Sequence, residues 1–306
     1  MMMENTVYTV TLNPALDCFL RPERFAAGEI NRYHQGAFYP GGKGVNVSLL
    51  LRGLGIRTVA MGIGAGLTGR GLTALLEQAG CPADFIQLEE GMTRVNMKIT
   101  PGDGPETALN GSGPEVPPEA LDRLAEKLRA LRPGDYLVLA GSLPGSVPAD
   151  VYARLLRAVP AGVRTAVDTS GPALVEAVKA EPFFIKPNLD ELGEIFGRPI
   201  PPEEALHYAR RLREMGARNV AVSMGSGGAA LLTEDGRAFR REALSGVEVS
   251  SVGAGDSFVA GFLYGWMETG GYEAALDWAM AAGAATAFTE GIASGGQVRN
   301  VYRKFS

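Results

Sequence analysis

Short apolar runs alternate with segments of helical periodicity along nearly the whole chain. Several of these runs are almost unbroken, as in strands that are buried on both faces of a parallel sheet. The runs predict strands at residues 7–12, 58–62, 136–140, 163–167, 183–185, 220–223 and 229–232. Helices are predicted between them at residues 45–53, 69–79, 118–131, 149–158, 172–180 and 189–196, and then from Asp256 to about residue 289.

The alternation of strands and helices implies right-handed crossover connections. It therefore predicts an α/β protein, a three-layer α/β/α sandwich with a mostly parallel central sheet. Ligands of such folds collect at the carboxyl ends of the strands. No linker or low-complexity tract divides the chain, so we expect one domain over residues 1–306.

Two segments interrupt the alternation. Residues 17–39 favour β-structure without a clear helix after them, and residues 93–100 alternate strictly between an apolar face and a basic face. A period of two with one polar face is typical of a half-exposed strand. We expect a small β-sheet at about residues 17–40 and 92–110, which is either a lid over a polar ligand or an edge hairpin.

Composition narrows the classes of protein. The chain is 46% hydrophobic and 21% charged, as in a globular protein, and its net charge of −5 argues against nucleic acid or an anionic membrane as the main partner. The first residues lack a signal-peptide pattern, and no apolar run reaches membrane-spanning length. With only Cys18 and Cys81, a disulfide framework is excluded, and we expect a cytoplasmic protein. Neither His34 nor His207 has the motif context of a hydrolase or a metal site.

The stretch Ser-Ser-Val-Gly-Ala-Gly-Asp-Ser at residues 250–257 opens an apolar helix. Its glycines let backbone N–H groups converge at the positive end of that helix, where an anion is favoured. Asp256 there either caps the helix or takes a proton from a hydroxyl while the N–H groups hold a transferred phosphate. Far upstream, the glycine-rich residues 41–44 form either a tight turn or a backbone surface for a polyhydroxylated ligand, with Lys43 and Asn46 beside it.

Two further polar residues are candidates for binding a substrate. Asp17 is either a turn residue after Asn-Pro or an acceptor for sugar hydroxyls. Arg94 is either an exposed strand arginine or a residue whose forked guanidinium binds a phosphate on the substrate.

A second group of candidates follows later strands. Asn188 and Glu191 come one helical turn apart just after Lys186, a spacing suited to ordering Mg²⁺, water and phosphate. The glycine-rich loop at residues 223–228 either lines a nucleotide or is a plain hairpin turn. No Walker sequence occurs, which excludes a P-loop fold.

The segment 64–69 fits the dinucleotide-binding pattern G-x-G-x-x-G, with Asp84 where a ribose-binding acid is expected. This alternative predicts an NAD-dependent dehydrogenase. Two features argue against it: the run continues as Arg70-Gly71, and Asp84 follows the break Gly80-Cys81-Pro82 and does not end a clear strand.

The chain resembles the ribokinase-like (PfkB) carbohydrate kinases along its whole length. Residues 41–46 and 252–257 are similar to the two glycine-rich signatures of that family, and residues 186–191 to its Asn-x-x-Glu element. Segments 11–17 and 93–96 resemble the branch that acts on phosphorylated ketohexoses, and segments 106–114 and 191–197 resemble the group acting on fructose 1-phosphate. Ala108 and Ser112 depart from that group's pattern.

The resemblance implies transfer of phosphate from ATP, with Mg²⁺ and a candidate monovalent cation as cofactors, to fructose 1-phosphate. Tagatose 6-phosphate and fructose 6-phosphate are the alternative substrates, and a non-catalytic sugar-phosphate sensor is a further alternative. Asp256 would be the catalytic base, with an anion hole from Gly253, Ala254 and Gly255. The sugar phosphate would contact Asp17, Gly41, Gly42, Lys43, Asn46, Arg94 and Ser142.

On the nucleotide side, the resemblance implies contacts from Lys186, Asn188, Glu191, Ser223, Gly225, Gly228, Ala282 and Gly283. Asn188 and Glu191 would act on Mg²⁺ indirectly, through water and phosphate. The small sheet would be a lid that also joins two chains as a homodimer.

Overall fold

The computed structural model describes residues 5–102 and 104–305. Its strands are β1 (Val7–Thr11), β2 (Ala15–Pro22), β3 (Tyr33–Gly41), β4 (Thr58–Ala65), β5 (Ala83–Leu88), β6 (Arg94–Ile99), β7 (Thr107–Asn110), β8 (Tyr136–Ala140), β9 (Arg164–Asp168), β10 (Phe184–Ile185), β11 (Asn219–Ser223), β12 (Ala229–Leu232) and β13 (Ala238–Arg241). Its helices are α1 (Lys43–Gly53), α2 (Gly66–Gln78), α3 (Pro118–Arg129), α4 (Val151–Ala158), α5 (Gly171–Val178), α6 (Leu189–Phe196), α7 (Ala205–Glu214), α8 (Ala254–Thr269), α9 (Tyr272–Ala287) and α10 (Gly295–Phe305).

The middle layer is a nine-stranded sheet in the order β13-β12-β11-β10-β9-β8-β1-β4-β5. All its pairings are parallel from β11 through to β5, and the last two strands, β12 and β13, add on as antiparallel strands at one edge. The predicted three-layer α/β/α sandwich with a mostly parallel sheet is confirmed.

Alternate residues of the central strands pack against opposite helical layers. In β8, Tyr136 and Val138 contact the layer of α1, α8, α9 and α10, whereas Leu137 and Leu139 contact the layer of α3 to α7. These side chains are buried on both faces, which explains why the central strands have no polar alternation.

Two strands of the large sheet were not predicted, β5 and β13. Both end the sheet and consist mostly of exposed and half-buried positions, so neither contains the apolar run that identified the central strands. The other predicted strands and helices are present, with ends shifted by up to three residues.

The second, smaller sheet has the order β3-β2-β6-β7 and is formed from the two segments that interrupt the alternation. We call this sheet the lid. Asp103, inside the range predicted for it, lies outside the described residues, as do residues 1–4 and Ser306. Among the described residues, none of the helices combines the length and the apolar character needed to cross a bilayer.

An aromatic stack joins the large sheet to α8. The rings of Phe184 in β10 and Phe262 in α8 lie 3.7 Å apart, nearly parallel, and both side chains are fully buried. This contact ties the start of the segment that contains Lys186 to the helix that carries Asp256.

We expect Phe262→Ala to lower the free energy of unfolding by about 3–5 kcal/mol, because it removes a buried aromatic ring and leaves a cavity. Urea denaturation measures the change. The control is Phe305→Ala at the 48% exposed end of α10, which should change stability by no more than about 0.5 kcal/mol. Equal effects of the two substitutions would contradict this account of the stack.

Candidate active site

The site lies where the carboxyl ends of three strands meet the first turns of two helices. Strands β1, β9 and β10 end there with Thr11, Asp168 and then Lys186, and α1 and α8 begin opposite them. Because side chains alternate along a strand, Thr11, Asp168 and Lys186 all lie on the face of the sheet that packs against α1 and α8. Neither of these two helices has a side-chain cap, so no side chain competes with a ligand for the N–H groups of their first turns; in α8 the Ala254 N–H already donates a 3.2 Å hydrogen bond to the carbonyl of Ser251.

Helix α8 begins at the glycine-rich motif. Gly253 is the residue before the helix and has φ 79°, a left-handed conformation in which a Cβ would collide with Ile292. Asp256 lies in the first turn and is 5% exposed, and its Oδ2 accepts a 2.7 Å hydrogen bond from Nδ2 of Asn46 in α1. The alternative that Asp256 caps the helix is wrong, because its carboxylate points to the neighbouring helix.

Helix α1 begins at the other glycine-rich motif, and the glycines there allow close approach. Gly42 has φ 116°, and a Cβ on it would lie 2.8 Å from Cγ2 of Thr11. A Cβ on Gly41 would collide with the carboxylate of Asp17 in the lid. The motif therefore brings the lid, the sheet and α1 together around one backbone segment.

Asp168 is a residue that the sequence analysis missed. Its carboxylate is fully buried, with Oδ1 3.3 Å from Nζ of Lys43 and 3.5 Å from Nζ of Lys186. Lys43 also lies 3.7 Å from Glu191. The rule used for the other candidates would have found Asp168, because it follows a predicted strand directly.

These charges shift one another's protonation. Burial by itself would raise the pKa of Asp168, but the ammonium groups of Lys186 and Lys43 outweigh it and lower that pKa. Burial would likewise lower the pKa of Lys43, but the carboxylates around it, Asp168 first, raise it. Burial and then repulsion by Asp168 raise the pKa of Asp256 to about 7, against the hydrogen bond from Asn46. A carboxylate with that pKa is matched to proton transfer near neutral pH.

One face of the lid carries polar side chains toward the cleft. Asp17 is the third residue of β2 and pairs with strands on both sides, so the alternative that it is a turn residue is wrong. Its Oδ1 accepts a 2.8 Å hydrogen bond from Asn96 in β6, and burial raises its pKa. Arg94 begins β6; its Nε donates to the carbonyl of Asn13, and burial lowers its pKa.

A cavity of about 660 Å³ opens between this face of the lid, helix α1, Val252 before α8 and the segment 290–293 after α9. Asp17 and Asn46 both line it, and so do the cations Lys98 and Arg21; Arg94 is not among the residues that line it. The volume is in the range of small-molecule sites. Arg21 also forms an ion pair with Glu290 across the cavity mouth.

Asn188 and Glu191 form a capping box at the start of α6. Asn188 Oδ1 accepts a 2.7 Å hydrogen bond from the Glu191 N–H, and Glu191 Oε2 accepts one of 2.9 Å from the Asn188 N–H. Among the described residues, no group of three or more His, Cys, Asp or Glu is arranged to hold a metal ion. The donors present therefore fit Mg²⁺ carried by nucleotide phosphates and water, and not Mg²⁺ caged by protein ligands.

The predicted residues after strands β8 and β11 lie in loops. Ser223 ends β11 and Gly225 lies in the hairpin that joins it to the antiparallel strand β12, a geometry that both interpretations of this loop share, and Gly228 is held in that turn with φ 81°. Ser142 is exposed just after β8.

Ala282 requires a correction. Its side chain has no exposed surface and packs toward Gly261 in the contact between α9 and α8, so it belongs to the core and cannot reach a nucleotide. The neighbouring Gly283 is partly exposed and lies beside the backbone carbonyl of Ala254 at the start of α8.

The dinucleotide-binding alternative does not fit the geometry. Asp84 is the second residue of β5, not the last, and it forms a 2.6 Å ion pair with Lys127. An acid that binds ribose is required at the carboxyl end of its strand. Asp84 therefore does not end a strand, as the sequence indicated, and its position argues against a dehydrogenase.

Comparison with known proteins agrees with the two glycine-rich motifs. The model of the pfkB family of carbohydrate kinases matches residues 7–297. The chain is 42% identical over 286 residues to the 1-phosphofructokinase of Bacillus subtilis (strain 168), covering 93% of each chain. It is 34% identical over 290 residues to the D-tagatose-1-phosphate kinase of Bacillus licheniformis, covering 94% of each.

Among solved structures, phosphofructokinase-2 from Escherichia coli in complex with potassium has a TM-score of 0.91 and 27% identity, covering 98% of this chain and 99% of that one. The same enzyme has been solved with fructose-6-phosphate and in a tetrameric inhibited form. The family match spans nearly the whole chain, and the two relatives exceed 30% identity over almost their full length. The chain therefore belongs to the pfkB family of carbohydrate kinases and is an ATP-dependent sugar-phosphate kinase.

Proposed function

We propose that the chain transfers the γ-phosphoryl group of ATP to the C6 hydroxyl of fructose 1-phosphate and forms fructose 1,6-bisphosphate. The observation that carries this proposal is the buried Asp256 in the first turn of an uncapped helix, hydrogen-bonded to Asn46, which lines the cavity. The choice of sugar is supported by the likeness to 1-phosphofructokinase over 93% of the chain.

The proton moves from the sugar to Asp256. As the C6 oxygen forms its bond to the γ-phosphorus, Asp256 accepts the hydroxyl proton. The bond between the γ-phosphorus and the bridging oxygen breaks, and its electron pair leaves with ADP. With a pKa of about 7 in the free enzyme, Asp256 is basic enough to accept the proton. A carboxylate with this pKa is still partly deprotonated at neutral pH.

Charge on the transferred group is offset from two sides. The N–H groups of residues 253–255 would face its oxygens as the anion hole, and Lys186 lies beside them, with Nζ 3.2 Å from the position of a Cβ on Gly255. Lys43 approaches from the first turn of α1. Mg²⁺ bound with ATP would neutralise phosphate charge, with Asn188 and Glu191 reaching it through water.

The lid and the first turn of α1 would orient the sugar. Asp17 and Asn46 offer an acceptor and a donor for hydroxyls, and the backbone of residues 41–42 allows the sugar to approach closely. Arg94, with Ser142, would bind the phosphate already on the substrate. The loop with Ser223, Gly225 and Gly228, together with Gly283, would border the nucleotide. A monovalent cation is a further proposed cofactor, supported by the potassium complex of the Escherichia coli relative.

The substrate is tested by coupled ADP release with Mg-ATP at matched low concentrations of fructose 1-phosphate, tagatose 1-phosphate, fructose 6-phosphate and tagatose 6-phosphate. We expect kcat/KM for fructose 1-phosphate to exceed each 6-phosphate by a hundredfold or more, about 2.7 kcal/mol of discrimination. Tagatose 1-phosphate is included because of the D-tagatose-1-phosphate kinase relative.

Asp256→Asn is the control, because it keeps the shape of the side chain and the acceptor for Asn46 but removes the base. It should lose several orders of magnitude in kcat. A preference for a 6-phosphate or for tagatose 1-phosphate would replace the proposed sugar, and near-normal turnover by Asp256→Asn would remove Asp256 as the base.

The phosphate contact is tested with two cations on the same face of β6. We expect Arg94→Ala to raise KM for the sugar phosphate tenfold or more with a smaller change in kcat, because it removes uniform binding. Lys98→Ala is the matched comparison, since Lys98 lines the cavity four residues further along the strand. If Lys98→Ala raises KM and Arg94→Ala does not, the phosphate site belongs to Lys98.

The outer face of the lid supports the proposed homodimer. The register aligns Phe38, Cys18, Met97 and Leu109 in one row across all four strands. Three of these side chains are exposed, Phe38 and Leu109 by 54% and Met97 by 40%. Exposed apolar side chains grouped on one face of a sheet are typical of an interface between proteins.

We therefore expect Leu109→Asp to give a monomer in sedimentation velocity at micromolar concentration, because it would bury a charge in the interface between two lids. Phe305→Asp, at an exposed apolar position outside the lid, is the control and should leave the assembly unchanged. An unchanged assembly in both variants would show that the chains associate elsewhere or not at all.

A further inference from the structure

Asp168 occupies the centre of the charged groups in the site, yet the proposed reaction assigns it no contact with substrate. It is the last residue of β9 and has no exposed surface. Both lysine ammonium groups approach the same oxygen, Oδ1, whereas Oδ2 is buried without a hydrogen-bond partner. A fully buried carboxylate with one unpartnered oxygen is costly, so its presence requires an explanation beyond packing.

The backbone around Asp168 is held firmly. Its carbonyl accepts a 3.0 Å hydrogen bond from the N–H of Gly141. The carbonyl of Gly141 in turn accepts hydrogen bonds from the hydroxyls of Tyr152, at 3.1 Å, and Thr169, at 3.0 Å. The carboxylate is therefore presented from a rigid strand end, and the lysines must adapt to it.

The two lysines reach this oxygen from different elements. Lys43 is in the first turn of α1, where a positive charge is unfavourable next to the helix dipole, and its side chain is 36% exposed. Lys186 follows β10 and is 4% exposed, beside the start of α8. Without a shared anion, two long flexible cations would repel each other and swing away from the cleft.

We propose that Asp168 is a positioning residue, which holds the ammonium groups of Lys43 and Lys186 together where the transferred phosphoryl group lies. The proposal rests on the kinase reaction proposed above. It also assigns Asp168 a second effect, since its charge faces Asp256 and favours the protonated form of that base.

Asp168 and Asp256 share most of their charged and polar neighbours. Asp256 faces Lys43, Lys186 and Asp168, and Asn46 donates to it. Asp168 faces the same two lysines and the hydroxyl of Tyr152, and Glu191 faces Lys43. When Asp168 loses its charge, repulsion on Asp256 disappears while both lysines remain, so the pKa of Asp256 must fall.

The test compares Asp168→Asn with the parent enzyme in the full pH profile of kcat/KM. We expect kcat on the plateau to fall roughly 10²-fold, as for loss of other preorganised charge stabilisation. The acid limb should move to lower pH by about one unit, because the base becomes easier to deprotonate. Calorimetry with a non-hydrolysable ATP analogue should show weaker binding, and this readout does not depend on which sugar is the substrate.

Two variants separate positioning from stability. Tyr152→Phe removes a buried hydrogen bond next to Asp168 without changing charge, and it should leave the acid limb in place. Asp168→Glu keeps the charge but displaces it by one methylene, so it should lose kcat with little movement of the acid limb. Asp168→Glu also serves if Asp168→Asn does not fold.

The proposal is overturned if Asp168→Asn folds with an unmoved acid limb and unchanged affinity for the ATP analogue. It is equally overturned if Asp168→Glu has the plateau kcat of the parent, or if Asp168→Asn only raises the Mg²⁺ requirement, which would assign the carboxylate to the metal. Failure of the kinase proposal is distinct: the parent enzyme would then turn over no sugar phosphate at all.

Discussion

The buried carboxylate of Asp168 needs positive charge within reach, because an unpaired charge in the interior costs several kcal/mol. Lys43 and Lys186 supply it from two elements that are far apart in the chain. The same requirement explains why a lysine is tolerated in the first turn of α1, and why Glu191 lies near it. The charges around the cleft therefore form one balanced group, and the basicity of Asp256 is a property of that group.

The lid is connected to these charged residues through the close approach of the glycine-rich backbone before α1, more than through side-chain packing. Gly41 accommodates the carboxylate of Asp17, and the next residues begin α1 with Lys43 and Asn46. Movement of the lid strand would therefore displace both Asp17 and the helix that carries Asn46, the hydrogen-bond donor to Asp256. One segment of glycine-rich backbone therefore couples the position of the lid to the surroundings of Asp256.

Much of the fold was predictable because its central strands are buried on both faces and its helices separate them. Tyr136–Ala140, Ala229–Leu232 and Leu189–Phe196 were predicted to the residue. The strands at the two ends of the sheet, β5 and β13, were missed, because a half-exposed end strand needs no apolar run. The candidate site residues were predictable where a glycine motif or a strand end marked them, as at Asp256 and Lys186.

By itself, the sequence determined the layer architecture, the position of the glycine-rich helix starts and the family, since periodicity and short motifs are local properties of the chain. Tertiary structure decided between the alternatives that local pattern left open. Asp256 is not a cap because Asn46, far away in sequence, donates to it; Asp17 is not a turn residue because β3 and β6 pair on either side of it. The position of Asp168 after a predicted strand was visible in the sequence, but its pairing with two distant lysines was not, because electrostatic pairing depends on distance in space and leaves no periodic signal in the chain.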